Sequence, residues 1–152
     1  MGVDWKAVEQ KWQKIWQDAK IFEADADSTR PKFFVTFPYP YMNGFMHVGH
    51  FYTALRVDVF ARCKRMQGFH VLFPQAWHCT GSPIESAAQR IKENEQSQVS
   101  IMKDMGFADL EIGKFADPKH WVEYFPKEWK QDLLALGFSI DFRREFITTS
   151  LN

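Results

Sequence analysis

Residues 37–50 read Phe37-Pro38-Tyr39-Pro40-Tyr41-Met42-Asn43-Gly44-Phe45-Met46-His47-Val48-Gly49-His50, and what lies on either side of them decides the fold. Residues 33–37 are apolar apart from Thr36 and are stopped by Pro38, the pattern of a buried strand. From His47 the period changes. Val48, Tyr52, Leu55, Val59, Cys63 and Met66 recur at helical spacing, and Gly68 stands where that helix would end. Residues 69–73 form a second apolar run, stopped by Pro74. Strand, helix, strand at this spacing is a βαβ unit, which requires parallel strands and a right-handed crossover. The expected fold class is therefore α/β. Ligands of such sheets bind beyond the carboxyl ends of the strands, here Pro38-Tyr39 and Gln75-Ala76-Trp77-His78.

The junction itself is suited to phosphate. Free N–H groups and the positive end of the helix dipole favour an anion there. Gly49 allows close backbone approach, and the imidazoles of His47 and His50 can donate to phosphate oxygens as charge develops. A metal site is the competing reading, because histidines three apart share a helix face and Cys79 could join them. No carboxylate-bearing zinc motif accompanies them, so no protein-bound metal is expected. Tyr39 and Tyr41 flank Pro40 and either wall the core or shape a small-ligand pocket. Asn43-Gly44 is a turn signal. His78 and Thr80 bring polar groups to the end of the second strand, with Gly81 supplying turn geometry.

Working outward, Trp5, Val8, Trp12, Ile15, Trp16 and Ala19 make an amphipathic N-terminal helix with Asp4 as N-cap. Its tryptophan stripe must dock on something else, and the polar bridge 25–31 ends it. Ser82-Pro83-Ile84-Glu85 reads as a capping box opening a third helix. Residues 92–116 are charged and aperiodic, so an excursion is expected there. Asp117-Pro118 caps a fourth helix, with Trp121, Val122, Phe125, Trp129, Leu133 and Leu136 inward and Gly137 ending it. Pro126 should kink or split that helix. Residues 138–142 read as a further strand. Arg56, Arg62, Lys64 and Arg65 read as a solvated basic face.

A chain of 152 residues with zero formal net charge offers no overall positive field for nucleic acid or an anionic membrane. Any RNA contact would be local. No apolar run reaches membrane-spanning length, and no membrane partner is expected. Aromatics make up 16% of the chain, including 15 Phe and 6 Trp, which calls for broad buried faces. Two cysteines, Cys63 and Cys79, fit reduced thiols in the cytoplasm.

The blocks taken together have a precedent. The 38–50 stretch, with its His-x-Gly-His, resembles the first ATP-binding motif of class I aminoacyl-tRNA synthetases. Its wider context resembles the leucyl-tRNA synthetases of the archaeal and eukaryotic cytosolic type. Three later blocks agree in order: Arg62-Cys63-Lys64-Arg65-Met66-Gln67-Gly68 with Val71-Leu72-Phe73-Pro74, Trp77-His78-Cys79-Thr80-Gly81-Ser82-Pro83-Ile84, and Gly137-Phe138-Ser139-Ile140-Asp141 with Arg144-Glu145-Phe146-Ile147-Thr148-Thr149-Ser150.

This resemblance implies the N-terminal half of a Rossmann-like, HIGH-type nucleotide-binding domain with a parallel sheet. Residues 1–30 would be a helix and linker packed on it. Residues 31–152 would be the first half of the catalytic domain, with a variable excursion near 92–116. It implies ATP, with Mg2+, and leucine as substrates, activation to leucyl-adenylate, and transfer to tRNA(Leu) mainly through regions outside this chain. His47, Gly49 and His50 would hold ATP, with His47 and His50 as the catalytic pair. Phe37, Tyr39, Tyr41 and His78 would surround leucine. Bacterial leucine enzymes, and the isoleucine and valine enzymes, carry an aspartate for the substrate ammonium where this chain has His78. No Lys-Met-Ser-Lys-Ser-like loop is present, so a fragment, inactive or weak alone, is expected. Sister enzymes for methionine, isoleucine or valine, a small nucleotidyltransferase and a non-catalytic module derived from a synthetase stand as alternatives.

Overall fold

Asp4 starts the first helix as its spacing requires. In the computed structural model, which describes residues 2–26 and 29–150, its carboxylate accepts the Ala7 N–H at 3.1 Å. The chain divides into two compact units, one built from residues up to Pro38 with Val48–Gln75 and Gln131–Glu145, the other from Tyr39–His47, Ala76–Lys130 and the residues from Phe146.

In the first unit, helix α1 (Trp5–Asp18) buries none of its residues. It is held at its edge instead. Gln13 donates to the Ala135 carbonyl at 2.7 Å, and Trp16 meets Phe22 edge-on at 5.7 Å under the Arg62 guanidinium. Trp5 and Trp12 stay exposed. Strands β1 (Lys32–Phe34) and β2 (His70–Leu72) pair in parallel across helix α2 (Val48–Met66), so the expected βαβ unit is present. Both strands are shorter than the apolar runs suggested. The Val35 N–H still reaches the Leu72 carbonyl, but the next carbonyl, Phe73, accepts from Asp141 at 2.9 Å and is lost to the ladder.

Two expectations for this unit fail for one reason. The stripe Val48, Tyr52, Leu55, Val59 and Met66 on α2 is exposed, while Ala54, Asp58 and Ala61 are buried. Residues 138–142 are not a strand but a segment without regular structure that ends in a 3-10 turn, Phe142–Arg144. That segment packs on α2 through polar bonds: Asp58 accepts from Ser139, and Arg62 and Arg65 donate to Gly137 and Ser139. Arg62 and Arg65 therefore belong to a packed seam and not to a solvated basic face. A packing stripe made of Asp, Arg and Ala does not register as hydrophobic periodicity.

The stretch between α1 and β1 is tied to the same segment. The buried Asp141 carboxylate accepts from the Ala24 N–H at 3.0 Å and from Arg143, which also reaches Asp25 and Glu23 at 3.0 and 3.2 Å. The Arg30 side chain and the Asp25 carbonyl both meet the His70 ring. The expected polar bridge includes Asp27 and Ser28, which lie outside the described residues. Burial alone would raise the Asp141 carboxyl, but hydrogen bonds from Arg143 and the Ala24 N–H outweigh it and hold it below the usual carboxylate range. A depressed folded-state value stabilises above the unfolded value, roughly pH 4, and that stability drains as pH falls toward the folded one. The melting temperature should accordingly drop on acidification below pH ~4 in wild type and drop less in Asp141→Asn, as read by circular dichroism. Equal acid profiles would remove Asp141 from the account.

In the second unit, β3 (Ala76–Trp77) pairs in parallel with the late strand β4 (Phe146–Ile147). Helix α3 (Ser82–Lys92) begins without the expected serine cap. Gly81 occupies the cap position at φ +92°, a conformation open to glycine, so the chain enters the helix one residue early and Ser82 is already helical. The expected excursion holds two helices, α4 (Gln96–Asp104) and α5 (Asp109–Ile112), and a 3-10 turn, Gly113–Ala116. Each contributes a buried apolar side chain (Met102, Ile112 and Phe115), and Phe107 joins them from the connection, too irregularly spaced to show a period. Helix α6 (Pro118–Ala135), whose residues up to Lys130 belong to this unit, starts where Asp117 accepts the Lys119 N–H at 2.9 Å and runs unsplit through Pro126. Trp121, Phe125 and Trp129, all buried on either side of that proline, hold its halves in one helix. Around them Phe45, Phe107, Phe115 and Tyr124 form a contiguous aromatic cluster. Among the described residues no helix is long and apolar enough to cross a membrane.

Candidate functional site

The His-x-Gly-His residues stand where the sequence placed them, at a helix start. His47 is the residue before α2, Gly49 and His50 lie in its first turn, and His47 and Gly49 are exposed while His50 is half-buried. Thr53 donates to the Gly49 carbonyl at 3.0 Å, an i to i−4 bond within that turn. The N–H groups of a first turn have no intrahelical acceptor, and α2 at 19 residues carries a full macrodipole.

Within the first unit Phe37 is buried, its ring edge-on to Phe73 at 6.4 Å between centroids. The other three residues expected near leucine gather in the second unit. His78 donates its N–H to the Pro40 carbonyl at 3.0 Å, and Met42 donates to the His78 carbonyl at 3.1 Å. Tyr41 and His78 are thus partners in a parallel bridge, and their rings meet edge-on at 4.0 Å. Pro40 is compatible with this because its carbonyl, not its missing N–H, makes the bond. Tyr39 lies edge-on to Phe146 at 5.6 Å.

The loop that carries these tyrosines is fastened at its far end. Trp129 donates its indole N–H to the Gly44 carbonyl at 2.8 Å, and Phe45 stacks on Phe107 at 5.6 Å with an interplanar angle of 12°. Thr148 secures the segment after β3: its N–H bonds the Trp77 carbonyl and its hydroxyl accepts the Cys79 N–H at 2.9 Å. At Gly81 a β-carbon would sit 3.6 Å from the Tyr41 hydroxyl.

Phe146, Thr148 and Trp129 are contacts that sequence reasoning did not assign. The first two sit on or just after β4, four residues past the end of the strand expected at 138–142, where a two-residue apolar pair between Glu145 and Thr148 is too short to register as a strand. Burial pushes the Cys79 thiol up to about 11, so it is protonated at neutral pH and poorly suited to bind metal as a thiolate. No group of three His, Cys, Asp or Glu side chains among the described residues could hold a metal ion.

Comparison with known proteins gives this geometry a context. A family model described as tRNA synthetases class I (I, L, M and V) matches residues 11–152. The chain is 54% identical over 147 residues to the leucine–tRNA ligase of Aeropyrum pernix, covering 97% of itself and 15% of that relative. It is 44% identical over 131 residues to a probable cytoplasmic leucine–tRNA ligase of Vairimorpha ceranae, covering 82% of itself and 15% of that relative. Among solved structures it resembles the ternary LeuRS–tRNA–LeuAMS complex of Agrobacterium radiobacter K84, with a TM-score of 0.77, 27% identity, 98% of this chain covered and 16% of the other. The chain spans 15–16% of the length of the relatives it matches.

Proposed function

Because this chain belongs to the class I tRNA synthetase family of the isoleucine, leucine, methionine and valine enzymes, we propose that it supplies the ATP site and part of the leucine pocket of a leucine–tRNA ligase. The fold is the Rossmann-like catalytic fold of that family, entered through its parallel βαβ unit. The observation that carries the leucine assignment is the 54% identity to a leucine–tRNA ligase across nearly the whole chain.

In the proposed reaction a leucine carboxylate oxygen attacks the α-phosphorus of ATP, and the bond to pyrophosphate breaks. The products are leucyl-adenylate and pyrophosphate, and a hydroxyl at the 3′ end of tRNA(Leu) then takes the leucyl group as AMP leaves. ATP arrives with Mg2+ as substrate. His47, Gly49 and His50 are assigned to ATP, with positioning and charge stabilisation as their work and no covalent step. Phe37, Tyr39, Tyr41 and His78 are assigned to leucine; the bridge and ring contact between Tyr41 and His78 support grouping those two. His78 in neutral form has one ring nitrogen able to accept from the substrate ammonium. Residues 1–30 are assigned as a helix and linker, residues 31–152 as the first half of the catalytic domain, and the place of action as the cytoplasm.

The test is pyrophosphate exchange by the full-length ligase that carries this segment, run with leucine, methionine, isoleucine and valine in turn. Exchange with leucine alone is expected. Exchange driven by one of the others would overturn the assignment. The 152-residue chain by itself should show no robust leucine-dependent exchange, and if it does, the division of labour proposed here is wrong.

A further inference from the structure

Helix α2 carries more than the nucleotide residues of its first turn. Phe51, Asp58, Arg62 and Arg65 fall on one face, since offsets of 7, 11 and 14 residues return to nearly the same angle at 3.6 residues per turn. All four engage residues 137–139. Phe51 meets Phe138 edge-on at 5.9 Å. Asp58, which is 5% exposed, accepts from the Ser139 N–H at 2.7 Å and its hydroxyl at 2.6 Å, and from Arg62 at 2.7 Å. Arg65 donates to the Ser139 hydroxyl and carbonyl at 2.6 and 2.9 Å. That segment is itself fixed, because the Asp141 N–H bonds the Phe73 carbonyl just past β2.

We propose that Asp58 is a positioning residue: through Ser139 it fixes the axial register and rotation of α2, and so sets where His50 points. The chemistry of the seam favours this over general adhesion. An apolar interface can slide by fractions of an ångström at little cost, whereas a charged carboxylate taking two donors from one residue has a single good geometry. The lever is short and stiff. Eight residues, roughly 12 Å of helix axis, separate Asp58 from His50. Buried and bonded, the carboxylate also has no alternative partner in water, so the seam has one register.

The inference rests on the leucine-activation reading, and its test separates the two. In the full-length ligase, Asp58→Asn keeps one acceptor oxygen and should lower kcat for leucine-dependent exchange about tenfold; Asp58→Ala should lower it up to about 100-fold. Leucine KM should stay within about twofold in both if α2 alone is disturbed. In a His50→Ala background the same substitutions should add little, because the group they position is gone. A folded Asp58→Asn protein with wild-type kcat would overturn the inference, as would a full Asp58 effect that persists without His50. If Asp58→Ala does not fold, Asp58→Asn and Ser139→Ala, which removes only the hydroxyl, decide the matter by the same criteria. A wild-type protein with no leucine-dependent exchange would instead overturn the functional reading.

Discussion

In the full-length ligase proposed to carry this segment, His50→Ala should lower kcat for leucine-dependent pyrophosphate exchange by about 10²–10³-fold, with leucine KM nearly unchanged. The size follows from what the residue is asked to do. Attack on the α-phosphorus increases negative charge on the phosphate oxygens and on the departing pyrophosphate. A donor held at the start of α2 meets that charge in the transition state more strongly than in the ground state, so its loss falls on kcat. His50 is the half-buried member of the pair and His47 the exposed one, so His50→Ala should be the costlier of the two. The double variant should fall less than the product of the single losses, since both act on the same charge. Steady-state exchange with leucine varied at saturating ATP measures all three. Retention of wild-type kcat in His50→Ala would remove the His-x-Gly-His residues from the mechanism and favour a non-catalytic module.

The parts of this molecule that were legible in the sequence are the parts whose causes are local. A helix entered at Val48 and a carboxylate at Asp4 that caps the next turn each depend on a few neighbouring residues. His47, Gly49 and His50 lie within four residues of chain, so their placement at a helix start needed no tertiary knowledge. What escaped was set by partners far away. The face of α2 that packs is the one matched to residues 137–139, and because those residues offer hydrogen bonds, it carries Asp58 and Arg65 where periodicity looks for leucine. The strand at 146–147 exists because it finds Ala76 and Trp77, and nothing within its two residues announces that register. The bridge between Tyr41 and His78 was hidden similarly: a segment with prolines at 38 and 40 reads as irregular, yet its carbonyl and N–H groups pair with His78 as a strand's would.

That fastened loop makes Trp129 a position where loss of packing should be costly. The side chain is 1% exposed, and its indole N–H holds the Gly44 carbonyl. Trp129→Ala removes a large buried ring and should destabilise by about 3–5 kcal/mol, against a total of roughly 5–15 kcal/mol for a domain. In a chain of this size the melting temperature should fall by roughly 6–20 °C, measured by circular dichroism. Trp129→Phe separates two contributions. It keeps most of the aromatic volume but has no donor, so the Gly44 carbonyl loses its partner at about 1–2 kcal/mol. Gly44 precedes Phe45 in the loop that also holds Tyr39 and Tyr41, so that small loss is expected to appear out of proportion in function. Leucine KM of the full-length ligase should rise in Trp129→Phe although the protein remains folded, because the loop has lost one of its fixed ends while the stack of Phe45 on Phe107 remains. An unchanged leucine KM in Trp129→Phe would mean that the aromatic stack alone holds the loop. An unchanged melting temperature in Trp129→Ala would contradict the buried core described for the second unit.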